Sequence, residues 1–429
     1  AVAGADMDGD GLNDIAIGSL SGHFYIFDIN GIKVDFDAVE FLVGTPAIGN
    51  LDDDSDLEVV FSGYSSGNKL YALNPDGSAV DGFPLAQGEK LKVGVALADF
   101  NGNGKDDIIF GTDGSRVHVV YDDGTEAPGF PFSTGNKIQA APSVLDIDGE
   151  KVIFAGCIDN TLYAINADGS LRFSVVAANM ILSSPSFAEH NGSIYVFFSD
   201  VSGVLYAVDM DGNALAGWPV DVGQAISKSV VLSDLDNDGE AEVVGLTELT
   251  DVIVYNLDGT THEGFPMNNE FSFQAAPLVM DMDGDGDLEI LGGSVNSLIA
   301  LDVKSAGSSS GYWNMFRGNL RRSGYYNSSD DDPLLIDDLF FASNYSISKI
   351  YPNPFNPITT INYVVPENVE VSIVIYNILG QLIEELINSV HIPGKYALGW
   401  NATLYPSGIY FVSMKTNNFH EIRKIILIK

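Results

Sequence analysis

The sequence predicts an all-β protein with two parts, a seven-bladed β-propeller followed by a small Ig-like β-sandwich. Three observations lead to this prediction. A pattern of strands and turns recurs seven times within residues 1–326. Each copy has room for four short strands and lacks the 3.6-residue apolar period of a helical repeat. Residues 345–429 lack the repeat and instead alternate apolar with polar residues.

The repeat is easiest to follow through an acidic loop whose copies begin 41 to 49 residues apart. A second motif, Tyr71 to Gly77 in its second copy, ends in an Asp-Gly turn, and four copies continue into a Gly-aromatic-Pro motif. Four strands joined by hairpins at this period are typical of a propeller blade. The seven copies begin at Asp6, Asn50, Asp99, Asp146, Phe187, Asp234 and Asp281.

Within one copy, a short apolar strand leads into the acidic loop. A β-rich run follows, such as Glu58 to Phe61, then a turn of small polar residues and a third strand, such as Leu70 to Leu73. The segment near the Gly-aromatic-Pro motif supplies the fourth strand. In the last copy, Trp313 to Met315 aligns with that motif, so we expect this segment to complete the last blade.

Charge divides the chain at the same place as the repeat. The chain has 20 Lys+Arg and 59 Asp+Glu, a formal net charge of -39, and 54 of the acidic residues precede residue 345. Residues 327–344 read as an acidic linker between domains 1–326 and 345–429. So negative a chain is a poor partner for nucleic acid or anionic membranes.

The single cysteine, Cys157, rules out an intrachain disulfide. No apolar run reaches the roughly 18 residues that a membrane span requires, so we expect no transmembrane segment. Because Ala1 enters the repeat directly without a signal peptide, we expect the sequence to be a mature or truncated form.

Five acidic loops keep a pattern of oxygen-bearing side chains at positions 1, 3, 5 and 9. Oxygens at this spacing, with the carbonyl of position 7, can converge on one hard cation, and glycine allows the tight turn. The side-chain candidates are Asp6, Asp8, Asp10 and Asp14; Asn50, Asp52, Asp54 and Glu58; Asp99, Asn101, Asn103 and Asp107; Asp234, Asp236, Asp238 and Glu242; and Asp281, Asp283, Asp285 and Glu289. The carbonyl candidates are Leu12, Asp56, Lys105, Glu240 and Asp287.

A flexible loop of oxygen ligands favours Ca²⁺ over Mg²⁺, and the absence of His and Cys from the loops argues against Zn²⁺. The six histidines lie in different repeats or in the C-terminal region and never pair at metal spacing along the chain. The alternative is that the loops are Asx-rich turns without a metal. We expect about five calcium sites, one for each conserved pattern, and none in the degenerate copies at Asp146 and Phe187.

These loops resemble the calcium loops of FG-GAP and VCBS repeats, the integrin-α-like propeller family, across essentially all of residues 1–326. The segment Trp313 to Tyr326 resembles a sequence signature of quinoprotein-like and related propellers. Its arginines, Arg317, Arg321 and Arg322, are expected to anchor the segment to the acidic body.

The C-terminal region contains about seven short strands, which favours a small β-sandwich. It resembles the type A C-terminal sorting domain of type IX secretion cargo. The motifs that carry the resemblance are Tyr351-Pro352-Asn353-Pro354-Phe355, Tyr376 to Gln381, Trp400-Asn401-Ala402, Ser407 to Phe411 and the terminal lysines. The resemblance implies a Bacteroidota-like Gram-negative bacterium, handling by type IX secretion machinery, and a secreted protein or one on the outer-membrane surface.

No catalytic pattern is found. Gly63 to Gly67 matches the spacing of a nucleophile elbow but lies in a predicted strand-to-strand hairpin, and no phosphate loop is present. We therefore predict a calcium-stabilised binding, adhesion or surface-assembly module rather than an enzyme. Its expected partners are an extracellular protein or glycan, or other copies of itself. A secreted propeller enzyme acting on polysaccharide or another extracellular substrate is the alternative.

Overall fold

The computed structural model describes residues 1–65, 67–270, 272–294, 296–328, 345–365, 369–391, 394–417 and 419–429. Every regular element in these ranges is a β-strand, which confirms the all-β prediction. The chain divides into two compact units, residues 1–336 and 337–429. The predicted linker, residues 327–344, lies outside the described ranges from residue 329 onward. No helix long and apolar enough to cross a membrane occurs in the described ranges.

Within these ranges the first unit contains seven sheets, one for each predicted repeat, and we number them blades 1 to 7. Blades 1 to 6 each consist of four successive antiparallel strands in chain order, and blade 7 consists of three. The first four blades are β1 (Val2–Ala5), β2 (Asp14–Gly18), β3 (His23–Asp28) and β4 (Gly31–Asp37); β5 (Ala47–Gly49), β6 (Glu58–Ser62), β7 (Lys69–Leu73) and β8 (Leu85–Ala86); β9 (Ala96–Ala98), β10 (Asp107–Thr112), β11 (Arg116–Val120) and β12 (Phe132–Ser133); and β13 (Ser143–Ile147), β14 (Glu150–Gly156), β15 (Thr161–Asn166) and β16 (Leu171–Val176).

The remaining blades follow the same order. They are β17 (Ser186–His190), β18 (Ser193–Ser199), β19 (Val204–Val208) and β20 (Val220–Asp221); β21 (Val231–Ser233), β22 (Glu242–Leu246), β23 (Asp251–Tyr255) and β24 (Met267–Asn268); and β25 (Leu278–Met280), β26 (Asp287–Gly293) and β27 (Leu298–Ala306). A further strand, β28 (Tyr325–Asn327), pairs in parallel with β13 of blade 4.

The blades pack face to face, and their first strands are innermost. All five residues of β6 are buried, because the sheet is covered on both faces by neighbouring blades. Phe24 of β3 stacks on Phe61 of β6, with ring centroids 3.8 Å apart, across the boundary between blades 1 and 2. The first strands contact one another from blade 1 to blade 4 and from blade 5 to blade 7. This arrangement of radial sheets is a β-propeller.

Residues 313–324, which we call the central segment, run along the inner strands. Backbone N–H groups of the inner strands donate to carbonyl oxygens of the segment, and successive carbonyls along the segment bond successive blades around the propeller. The bonds are Leu232 to Trp313 (2.9 Å), Val279 to Asn314 (2.9 Å), Gly4 to Leu320 (3.0 Å), Ile48 to Arg321 (2.8 Å), Leu97 to Ser323 (2.9 Å) and Val144 to Gly324 (2.7 Å). The segment thereby links blades 6, 7, 1, 2, 3 and 4, and it joins blade 7 to blade 1 from within.

This path corrects the expectation that Trp313 to Met315 completes the last blade. The three residues lie instead against the inner strands of blades 6 and 7, where Met315 forms a bridge with Leu278 of β25. Sequence alignment with the Gly-aromatic-Pro motif was misleading, because an apolar aromatic residue satisfies a buried position at either edge of a blade.

The expected anchoring role of the arginines is also corrected in its chemistry. Arg317 is fully buried, and its guanidinium donates to backbone carbonyls rather than to acidic side chains. Nε bonds the Arg322 carbonyl at 3.0 Å, Nη1 bonds the Pro142 carbonyl at 2.9 Å, and Nη2 bonds the carbonyl of Val95. Burial lowers the pKa of Arg317 to about 9, which still leaves the guanidinium charged at neutral pH.

The second unit is a two-layered β-sandwich around one apolar core that includes Trp400 and Ile373. In β31, buried residues alternate with more exposed ones, as the sequence pattern predicts for a half-covered sheet. One sheet has the order β29-β30-β33 and the other β32-β31-β34-β35. The strands are β29 (Ser346–Tyr351), β30 (Ile358–Val365), β31 (Val369–Asn377), β32 (Leu382–His391), β33 (Gly394–Asn401), β34 (Gly408–Lys415) and β35 (His420–Leu427).

The carbonyl cage around Arg317 predicts that the propeller depends on this side chain. Arg317→Met leaves several buried carbonyls without donors, and we expect a loss of about 3 to 5 kcal/mol in the free energy of unfolding. Arg317→Lys should recover only part of this, because an ammonium cannot reproduce the planar fork of donors. Arg321→Met is the matched control, since Arg321 belongs to the same segment but is exposed. Equal denaturation midpoints for the Arg317 and Arg321 variants would contradict the anchoring role.

Candidate metal centres

The five acidic loops occupy equivalent places in the propeller. Each connects the innermost strand of a blade to the next strand, in blades 1, 2, 3, 6 and 7. Because the strands of every blade run in the same order, these hairpins all lie at one end of the unit. The repeat therefore gathers five candidate cation sites on one face of the propeller.

The loops curl through hydrogen bonds between side chains and the backbone two residues further on. In blade 2, the Asn50 side-chain oxygen accepts from the N–H of Asp52 at 3.3 Å, and Asp52 accepts from Asp54 at 3.0 Å. Asp54 in turn accepts from the N–H of Asp56 at 2.8 Å. These Asx turns direct successive side-chain oxygens toward the inside of the loop.

The carboxylate at position 9 closes the loop by accepting a bond from the N–H of position 2. Glu58 accepts from Leu51 at 2.6 Å and Glu242 from Leu235 at 2.7 Å. Asp107 of blade 3 and Glu289 of blade 7 do the same with Phe100 and Met282, at 2.7 Å and 2.5 Å. One carboxylate oxygen is thus used for folding the loop. In Glu58 the other oxygen, Oε1, remains for a ligand, whereas Oδ1 of Asp107 accepts a further bond from the N–H of Asp122 at 3.1 Å.

The structure brings most of the predicted carboxylates together. In four loops, ligand oxygens lie within 4.8 Å of one another. The groups are Asp6, Asp8 and Asp10; Asp52, Asp54 and Glu58; Asp234, Asp236 and Asp238; and Asp283, Asp285, Asp287 and Glu289. Asp287, which the sequence predicts as a carbonyl ligand, also contributes its carboxylate. The carbonyl roles of Leu12, Asp56, Lys105, Glu240 and Asp287 stay predictions.

Three of the loops contain a buried oxygen that has no hydrogen-bond donor among the described residues. These atoms are Oδ1 of Asp6, Oε1 of Glu58 and Oδ1 of Asp287. A buried carboxylate oxygen without a donor is costly, and a bound cation would satisfy it. The donor set therefore fits a hard divalent cation such as Ca²⁺.

Burial and crowding also raise the pKa of three carboxyl groups that close loops, those of Glu58, Asp107 and Glu242. Burial, followed by the neighbouring aspartates, raises the pKa of Glu58 to about 7 and that of Glu242 to about 8. Burial likewise raises the pKa of Asp107 to about 7. A cation held close to these groups would favour their ionised forms and lower the pKa values again.

Blade 1 differs from the sequence prediction because a lysine enters its loop. Lys33 Nζ lies 2.7 Å from Asp8 Oδ2 and 3.2 Å from Asp14 Oδ2, and Asp14 is absent from the group formed by Asp6, Asp8 and Asp10. The hydrogen bond from Lys33 is the main cause that lowers the pKa of Asp8. This ammonium comes from the outer strand β4, so the loop sequence alone gave no sign of it.

In blade 3 the asparagine side chains partly serve other acceptors. Asn103 Nδ2 donates to Asp122 Oδ1 at 2.9 Å, and Lys105 Nζ contacts Asp53 and Asp122 at 3.0 and 3.5 Å. Asp99 instead accepts bonds from the backbone of its own loop, including the N–H of Gly102 at 2.7 Å. This loop is the least negatively charged of the five.

In blade 6 the fold brings a histidine close to the acidic loop, although the loop sequence itself contains none. A ring nitrogen of His262 lies within 4.8 Å of carboxylate oxygens of Asp236 and Glu242. His262 Nδ1 lies 2.9 Å from the Asn256 side-chain oxygen. His262 precedes the Gly-aromatic-Pro motif, and the corresponding residues Val80, Ala127 and Leu215 are apolar. This change from an apolar residue to a histidine is the sequence signal that could have indicated a histidine near the loop.

In the two degenerate copies, blades 4 and 5, the connection between the first two strands differs from the acidic loop. In blade 4, Lys151 Nζ lies 3.0 Å from Asp146 Oδ2, and the Tyr325 hydroxyl bonds the same oxygen at 3.0 Å. In blade 5, strands β17 and β18 are joined by a tight turn at Asn191 and Gly192.

Comparisons with known proteins agree with this division of the chain. Residues 50–110, which include the loops of blades 2 and 3, match the FG-GAP-like repeat. Residues 349–429 match the family described as the secretion system C-terminal sorting domain. The search of curated proteins found no match to this chain.

Several solved structures are similar to parts of the chain. BBS1N in complex with ARL6DN has 14% identity and a TM-score of 0.49, covering 70% of this chain and 90% of that one. BamB from Moraxella catarrhalis has 16% identity and a TM-score of 0.45, covering 70% and 98%. The V. cholerae biofilm matrix protein Bap1 has 13% identity and a TM-score of 0.42, covering 90% and 67%.

The two family matches fall on different structural units, one on blades with acidic loops and the other on the β-sandwich. Together they imply a secreted protein or a surface module. The chain is therefore a β-propeller protein with an FG-GAP-like repeat at residues 50–110 and a secretion system C-terminal sorting domain at residues 349–429.

Proposed function

We propose that this chain is a calcium-stabilised propeller that binds other molecules, or assembles with them, outside the cell. The observation that carries the proposal is the set of acidic loops at one end of the propeller, three of which contain a buried carboxylate oxygen without a donor. The proposed route of export is a type IX machinery that handles residues 345–429, in a Bacteroidota-like bacterium.

The proposed role of calcium follows from electrostatics. Carboxylates about 4 Å apart repel one another by about 1 kcal/mol even in water, and by more near a protein surface. An extracellular site needs a dissociation constant of only about 10⁻⁴ to 10⁻³ M. At a free concentration 100 times that constant, each independent site stabilises the fold by about 2.7 kcal/mol. Several such sites equal the whole stability of a typical domain.

We propose binding rather than catalysis, because the clustered carboxylates serve as loop and cation positions. The match to a nucleophile elbow at Gly63 to Gly67 falls between strands β6 and β7, and no helix begins among the described residues of this connection. A glycan array combined with native mass spectrometry separates the candidate roles. Glycan or protein capture supports an adhesin, and a defined oligomer supports an assembly subunit. Turnover of a bound polysaccharide would favour the enzyme alternative.

Chelation should lower the melting temperature of the propeller by about 10 °C or more, because several bound ions are lost at once. The melting of the sandwich should stay unchanged. Asp283→Ala should remove more of the calcium-induced shift than Asp8→Ala, since Lys33 already neutralises part of the blade 1 loop. Glu248→Ala, at an exposed position outside the loops, is the control. Scanning calorimetry measures the melting temperatures, and elemental analysis measures the bound metal. Identical curves with and without chelator, for a protein free of metal, would reduce the loops to ordinary turns.

The raised pKa values predict a particular pH dependence in chelator. Folded Glu58 and Glu242 keep protons up to about pH 7 and 8, whereas the unfolded carboxyls lose them near their ordinary value of 4.5. The folded state therefore binds more protons in this window, and its stability should fall as pH rises from about 5 to 8.

Saturating calcium should reduce that slope, because the bound ion keeps the carboxylates ionised. Glu58→Gln should flatten part of the slope in chelator, and Glu248→Gln should not. A melting temperature in chelator that rises over the same pH range would contradict this linkage.

Export is tested by deleting residues 345–429. We expect a folded propeller retained in the periplasm, because the unit matched to the sorting domain is missing. Fusing the same residues to an unrelated passenger should send that passenger outward. Cell fractionation with surface labelling gives the readout. Normal surface display of the truncated chain would overturn the proposed route.

A further inference from the structure

A cavity of about 380 Å³ lies beside blade 5 in the first unit. Its walls come from the β17–β18 hairpin, from Gly239 and Glu240 in the blade 6 loop, and from Tyr312 and Tyr326 next to the central segment. Volumes of roughly 300 to 1,000 Å³ are typical of sites for small ligands. This cavity therefore has the size of a site for one side chain or one small molecule.

The cavity lies where other blades have a nine-residue acidic loop. In blade 5 the hairpin turns at Asn191 and Gly192, which have φ of 53° and 72°. These two residues lie between His190 and Ser193, the last residue pair of the β17–β18 ladder. The tight turn shortens the connection. The cavity is bounded by this hairpin and by the acidic loop of blade 6.

One side of the cavity is aromatic. Tyr326 lies against Phe187 and Trp313, with ring centroids 6.0 Å and 6.3 Å away. The half-buried Tyr312 donates its hydroxyl hydrogen to the Gly239 carbonyl at 3.4 Å. The aromatic wall is thus fixed to both the central segment and the blade 6 loop, and Tyr312 and Tyr326 both line the cavity.

The polar lining is acidic. Glu189 is exposed, and its side chain forms no hydrogen bond or ion pair with the described residues. Glu240 lies 3.4 Å from His190 Nδ1, while His190 Nε2 accepts from the Asn191 amide at 2.8 Å. The described lining contains two carboxylates and neither lysine nor arginine.

We propose that this cavity binds an organic cation, a guanidinium or a primary ammonium group, and so gives the proposed binding module a defined ligand class. Glu189 and Glu240 pair with the charge, and the faces of Tyr312 and Tyr326 cover the apolar stem of the ligand. Carboxylates and aromatic faces both attract a cation. A neutral sugar gains nothing from the net charge of the unit, and an anion is repelled by it.

The test uses the full chain in saturating calcium and isothermal titration with matched probes. N-acetyl-arginine amide carries the guanidinium, and N-acetyl-citrulline amide is its neutral isostere. We expect the arginine probe to bind at least about tenfold more tightly than the citrulline probe. Spermidine and a glycine-rich peptide with one arginine then distinguish a free amine from a basic protein segment as the source.

Variants locate the binding. Glu189→Gln should weaken binding of the arginine probe about tenfold. Tyr312→Leu should also weaken its binding, because the substitution removes the aromatic face but keeps an apolar side chain. Glu263→Gln, an exposed change in blade 6 away from the cavity, should have no effect. Melting curves in calcium confirm that each variant is folded. Equal binding of both probes, binding unaffected by Glu189→Gln, or preferential binding of N-acetylglucosamine would overturn the proposal.

The failure of this inference is separable from failure of the proposed function on which it rests. A calcium-dependent melting temperature without binding of the arginine probe refutes only the cation site. A melting temperature that is the same with and without calcium refutes the calcium-stabilised propeller, whether or not the arginine probe binds.

Discussion

Repulsion among carboxylates is the constraint on which the first unit depends. Residues 1–344 contain 54 of the 59 acidic side chains, and the repeat concentrates many of them in hairpins at one end. The blades meet this constraint in different ways. Loops such as that of blade 7 gather four carboxylates as a cation would require, blades 1 and 4 bring in the ammonium groups of Lys33 and Lys151, and blade 5 has a short turn. Each arrangement reduces the same electrostatic cost.

The central segment solves a second problem, that of closing a ring of separate sheets. Neighbouring blades pack through side chains and through single backbone bonds between loops, such as that from Leu57 N–H to the Met7 carbonyl at 2.8 Å. The carbonyls of residues 313–324, in contrast, accept hydrogen bonds from inner strands of six blades. Arg317 then fixes the segment by donating to carbonyls from blades 3 and 4. The carbonyls around this buried guanidinium accept its hydrogen bonds, so its donors are satisfied without a carboxylate partner.

The parts that could be predicted from the sequence are those set by local periodicity. Strands such as β6 and β7, the loop from Asn50 to Glu58 and the alternation in β31 all follow from residues close together in the chain. The parts that could not be predicted join distant residues. Lys33 reaches Asp14 only because β4 lies beside β3 in the same sheet, and His262 reaches Asp236 only through the fold of blade 6. Trp313 fits the pattern of an outer strand and the surroundings of an inner one equally well, so periodicity cannot decide between them.

The two units differ in what stabilises them, and the difference bears on export. Residues 345–429 include 6 basic and 5 acidic residues, and the described ones among them form none of the acidic groups found in the propeller. The core of the sandwich is apolar, and the indole N–H of the buried Trp400 is satisfied within the unit by Glu384 at 2.9 Å. In its described residues the sandwich is stabilised by apolar burial and internal hydrogen bonds, whereas the propeller concentrates carboxylates whose mutual repulsion must be offset. The proposed export machinery would therefore act on the unit with little net charge, and the calcium proposed for the acidic loops would act on the other unit.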